Sequence, residues 1–165
     1  EIPKRDWSSD VCSSDLDLFE YYMEAPGIIG GGTDKAAKLA ETVRAKVPAK
    51  YEMYQARLAG ENKDVAPAER HWRRAAELSP GDVGAQVNLA KFLARNGKAA
   101  ESDQIFEKAL ATGKVLVKFE RAKILVEAKR DTPRAKQLLN EYLKSDLTAD
   151  DPPRSEAQKL LASLK

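Results

Sequence analysis

"AERHWRRAAELSP" (68–80) and "NLAKFLARNGKAAESDQIFEKALATGK" (88–114) decide the fold of this chain. Laid one on the other, Ala68, Trp72 and Ala75 fall on Ser102, Phe106 and Ala109 with a constant offset of 34 residues. A small residue, a large aromatic one and a second small one recur at helical spacing on one face. The physical sense is size alternation. Small residues let two helices approach closely, and one large side chain fills the space between them. Just upstream, Leu89, Ala90 and Leu93 apply the same logic to a preceding helix, and "RNGK" (95–98) is the turn that separates the two.

Working outward, "ENKD" (61–64), "RNGK" and "AKRDT" (128–132) recur at intervals of about one turn per thirty-odd residues, as do Pro48 and Pro80. Such a period, read as helix–turn–helix, predicts stacked helical hairpins. The pattern resembles the tetratricopeptide repeat family across nearly all of 17–165. In that family the first helix of each repeat carries large–small–large, here Leu89, Ala90 and Leu93. The second carries small, aromatic, small and a closing proline, here Ala68, Trp72, Ala75 and Pro80.

There are departures. Gln86 stands where tryptophan is usual, Lys114 where proline is, and Gln55 where leucine is, so Tyr51, Tyr54 and Leu58 set a different register there. A further repeat keeps Ala122, Leu125, Ala135 and Leu139, with one extra residue in its turn.

The resemblance implies an all-α fold: a right-handed α-α superhelix of about four hairpins plus a C-terminal capping helix. The expected division is a variant repeat over 17–48, repeats over 49–80, 81–113 and 114–147, and a cap over 148–165. In the variant repeat, Ala36, Ala40, Val43 and Pro48 carry the second-helix pattern. Pro26, Gly27 and Gly30–Gly32 widen its turn, where several residues need positive φ. In the cap, Asp151 reads as the N-cap and Pro152 as the first helical residue. Ala157, Leu160, Leu161 and Leu164 then form one apolar stripe.

"RDWSSDVCSSDL" (5–16) follows neither helical nor strand periodicity. Back-translated, it resembles the indexed adapter of short-read DNA sequencing, so residues 1–16 are expected to be adapter-derived rather than native. Cys12 and Trp7 then carry no function, and Asp17–Glu24 is the remnant of a helix. With the native start overwritten, the periplasm and the cytoplasm of a bacterium both stay open as compartments.

Composition narrows the chemistry. A net charge of +2 in a chain that is 33% charged offers no global field for nucleic acid or a membrane surface. A single cysteine excludes disulfides and zinc-finger spacing. No apolar run is long enough for a bilayer. "GIIGGGTDKA" (27–36) puts glycines before a helix but lacks the GK[ST] ending of a phosphate loop, so it reads as a wide turn. His71 has no second ligand or acid/base partner in the pattern and reads as a solvent-edge residue. In "RHWRR" (70–74) Trp72 takes the core position, and Arg70, Arg73 and Arg74 form the outer face. No catalytic residues, metal, cofactor, small-molecule substrate or nucleic acid are expected.

In the family, the first helices line a concave groove that binds peptides. Aligned on Ala56, Ala90 and Ala122, the next residue is Arg57, Lys91 and Lys123. Three such cations would form a ladder suited to an acidic segment or a C-terminal carboxylate. Ordinary solvation of lysine and arginine is the plainer reading of the same residues. Tyr54, Asn88 and Phe119 neighbour the ladder, with Met53, Val87 and Glu120. Asn88 matches the asparagine that binds ligand backbone in the family's carboxylate-clamp subgroup. Glu120, however, has the wrong sign for that clamp, so a clamp is not supported. The expected function is a non-catalytic scaffold or adaptor that takes a protein or peptide partner in the groove. The alternative is an accessory fragment of a larger enzyme or of a secretion or envelope assembly.

Overall fold

Each turn read from the sequence ends one helix and begins the next. The structure is a computed structural model that describes residues 7–164, with side chains from Asp15 onward. Every regular element among the described residues is helical. The chain divides into two compact units, Glu1–Leu78 and Ser79–Lys165.

The first unit holds α1 (Trp7–Glu24), a 3-10 turn (Gly27–Ile29), α2 (Thr33–Val43), α3 (Pro48–Glu61) and α4 (Val65–Leu78). Consecutive helices pack on one another in chain order. Proline opens α3, where its missing N–H costs no hydrogen bond. Phe19, Ala36, Ala40, Val43 and Tyr54 are buried together, and the Phe19 and Tyr54 rings stack at 3.9 Å. On α4 the small–large–small set Ala68, Trp72 and Ala75 is buried, as its spacing requires. The helix α1 runs back to Trp7, ahead of the Asp17 start expected for the native chain. The side chains of Trp7 and Cys12, and all of residues 1–6, lie outside the described residues.

The second unit holds α5 (Val83–Arg95), α6 (Ala99–Leu110), α7 (Val115–Glu127), α8 (Thr132–Lys144) and α9 (Arg154–Ser163), again packed in chain order. In addition, α5 touches α7, and α7 touches α9. Asp82 and Asp131 cap α5 and α8 by accepting from Gly84 N–H at 2.8 Å and Arg134 N–H at 3.2 Å. One core gathers Val87, Ala90, Phe106, Ala109, Val117 and Ile124. Another gathers Phe119, Ala122, Leu125, Ala135, Leu138, Leu139, Tyr142 and Ala157. Phe106 is fully buried; a ring of that size contributes about 1.5–3 kcal/mol by leaving water.

The cap begins later than its sequence suggests. Helix α9 starts at Arg154, not at Pro152. Pro153 forces the residue before it out of the helical region, so Pro152 cannot be a first helical residue. Asp151 is therefore no N-cap. Its carboxylate accepts instead from the Thr148 N–H and hydroxyl, both at 2.9 Å, and closes the turn before the two prolines. The stripe itself is as expected: Ala157 is buried, and Leu160, Leu161 and Leu164 pack against the core beneath α9. Tyr142 anchors this linker by donating its hydroxyl to Pro152 O at 2.5 Å, and burial pushes its phenol pKa up.

Candidate functional site

Three buried alanines set where the expected cations emerge on their own helices. Ala56 on α3, Ala90 on α5 and Ala122 on α7 are each sunk in a core. The next residue along each helix lies about 100° round the axis, so Arg57, Lys91 and Lys123 come to the flank and are half-buried.

The ladder of free cations does not form. In the first unit, both nitrogens at the end of the Arg57 fork reach Glu20 on α1, at 2.5 and 2.7 Å. In the second unit, Lys91 Nζ lies 2.8 Å from Glu120 Oε2, joining α5 to α7. Arg95 and Glu127 repeat that bridge further along, at 3.0 Å. Of the three expected rungs, Lys123 is the one with no ion-pair partner among the described residues. Even Lys118, on the same helix, is engaged. Its ammonium is 3.2 Å from Glu141, whose carboxyl is held below its ordinary value first by the Gln137 amide and then by Lys118.

Tyr54 and Phe119, expected beside the groove, are not surface residues. Each is 1% exposed. Tyr54 lies flat on Phe19, and Phe119 packs against Tyr142 with ring centres 5.1 Å apart. The reason is apolar area. A ring one position away from a helix's outward face gains far more by turning inward than by lining a wet groove. Asn88 is half-buried on α5, one turn before Lys91, with its amide unengaged among the described residues. The second unit therefore brings Asn88, Lys91, Arg95, Glu120, Lys123 and Glu127 to the face shared by α5 and α7. Tyr54 and Arg57 belong to the first unit.

Two polar constellations escaped the sequence reading. His71 is not partnerless: its Nδ1 lies 2.6 Å from Glu52 Oε2, and the carboxylate accepts from the ring. The pair sits on α4 and α3 at nearly equal distances from the Glu61–Asp64 turn. Folding the hairpin about that turn would have found it. The second is Arg121, 6% exposed, standing where α5 has Leu89. Its guanidinium lies 5.1 Å from the centre of the Phe106 ring and is ion-paired to Asp103 Oδ1 at 2.8 Å, while Asp103 Oδ2 accepts from Arg130 at 2.8 Å. Arginine in an apolar register position was the available signal. Loss of Asp103 would strand a buried charge.

Compared with known proteins, the chain matches no family model and no curated protein at a significant level. Among the described residues, no helix is long and apolar enough to cross a membrane.

Proposed function

We propose that this chain is a non-catalytic protein-interaction scaffold of the tetratricopeptide repeat kind, its hairpins wound in a right-handed superhelix. It takes an extended peptide segment on the face of its first helices. One observation supports this above others: α5 and α7 touch although α6 separates them in the chain. First helices of successive hairpins then lie side by side and present a common face. That face is nearly charge-balanced, because Lys91–Glu120 and Arg95–Glu127 neutralise one another across it. What remains for a ligand is the Asn88 amide, able to pair with a peptide bond, and the Lys123 ammonium, able to meet one carboxylate. The ligand is thus an extended segment with a single anchoring acid or a free C-terminal carboxyl, rather than a run of acids.

Panning a random-peptide library with free carboxyl ends against the whole chain tests this. The selected peptides should share one carboxylate at a fixed position. Asn88→Ala and Lys123→Glu should each weaken their binding about tenfold, roughly 1.4 kcal/mol. Selected peptides indifferent to both substitutions, or no enrichment at all, would sink the reading.

A further inference from the structure

We propose that the first unit carries a second docking surface, distinct from the α5–α7 face. It is a ridge of Leu18, Tyr21, Ile29 and Ile28 that receives a basic amphipathic helix of a protein partner.

The observation that prompts this is the turn between α1 and α2. It holds Ile28 93% exposed and Ile29 62% exposed. Leu18 and Tyr21 are also exposed and stand one turn apart on α1. The Tyr21 hydroxyl donates to Ile29 O, which ties the turn to this face of α1.

The turn is firmly built. Ile29 and Gly31 donate to Pro26 O at 3.0 and 3.2 Å, Gly30 to Gly27 O at 3.1 Å, and Gly32 to Tyr22 O at 2.8 Å. Lys35 Nζ holds Gly30 O at 2.7 Å. Gly31 is pressed so closely on Ala25 that a Cβ would collide with the Ala25 carbonyl. Two branched aliphatic side chains are thereby presented to water from an ordered backbone. That arrangement gains nothing for folding but lowers the ordering cost of binding.

Charge selects the occupant. Asp17 and Glu24 flank Tyr21 along α1, and Asp34 stands in the first turn of α2. All three are exposed, and none has an ion-pair partner among the described residues. The nearest cation in sequence, Lys35, is tied to the Gly30 carbonyl. An apolar ridge edged by unpaired carboxylates repels anionic lipid. A second copy of the same ridge would bring like carboxylates against one another, so charge disfavours self-association. A ridge beds into the groove between side-chain rows of another helix. The matching helix has an apolar stripe bordered by lysine or arginine.

The test uses a synthetic helical peptide of leucine and lysine with one apolar stripe edged by lysine. A leucine–glutamate peptide with the same stripe serves as comparison. The lysine peptide should bind the whole chain, and the glutamate peptide should not. Ile28→Asp, with Ile29→Asp as a second variant, should weaken binding at least tenfold while leaving the melting curve in place. Combined Asp17→Lys, Glu24→Lys and Asp34→Lys should weaken it as much. Lys123→Glu should leave it unchanged, so failure here is separable from failure of the groove. The proposal is overturned by absent binding, by equal binding of the glutamate peptide, or by indifference to Ile28. Ile28-dependent sedimentation with phosphatidylserine vesicles, or Ile28-dependent self-association in the ultracentrifuge, overturns it equally.

Discussion

The turn between α5 and α6 and the turn between α1 and α2 do the same geometric job with very different means. The former is minimal. Gly97 takes φ 80°, Lys98 N–H returns to Leu93 O at 2.9 Å, and α6 begins at once. The latter spends a 3-10 turn, Gly30 at φ 98° and Gly32 at φ 131°, and a close approach at Gly31 to reach the same reversal. Reversing a helix needs only one residue in the left-handed region. The additional structure in the first turn is therefore not explained by chain reversal. Its visible product is a pair of isoleucines held out in solvent.

Three substitutions test the difference between the two turns. The largest effect is expected at Gly31→Ala, where the Ala25 backbone cannot give way as a flexible side chain would. Urea unfolding followed by circular dichroism should show a loss of about 3 kcal/mol, and a change near zero would mean the turn is slack. Next comes Gly97→Ala, which has open space around its Cβ. It suffers only the left-handed backbone penalty of about 1–2 kcal/mol, read in the same experiment. If it equalled Gly31→Ala, the two turns would be under one kind of constraint rather than two. Smallest is Tyr21→Phe, which deletes the hydroxyl held by Ile29 O. It should lose about 1 kcal/mol, and faster amide exchange at Gly30–Gly32 would show that this bond orders the tip.

The contrast also separates what was legible from what was not. Ala68, Trp72 and Ala75 could be read directly, because a buried face on a helix forces a period on the sequence. The all-helical class, the turn positions and the apolar stripe of the cap followed from that period and from the breakers. Asp151 misled because a capping residue and a turn-closing residue are the same residue type. Only the Pro152–Pro153 pair tells them apart. Tyr54 and Phe119 misled for a different reason. Sequence spacing places a residue near a face but leaves open whether its side chain swings toward core or water.

Where helices form, and which of their residues are small or large, is written locally in the chain, because propensity, breakers and periodicity are local. Which charges stay free depends on how the helices pack. Glu20 neutralises Arg57 across 37 residues, and Glu120 neutralises Lys91 from a helix two elements on. Ion pairing depends on distance in space, and that distance exists only once the helices have packed. The same holds for the exposed ridge. "PGIIGGG" announces a turn, but that its isoleucines face water follows from Gly31 seated on Ala25 and Tyr21 bonded to Ile29, contacts that no local pattern encodes.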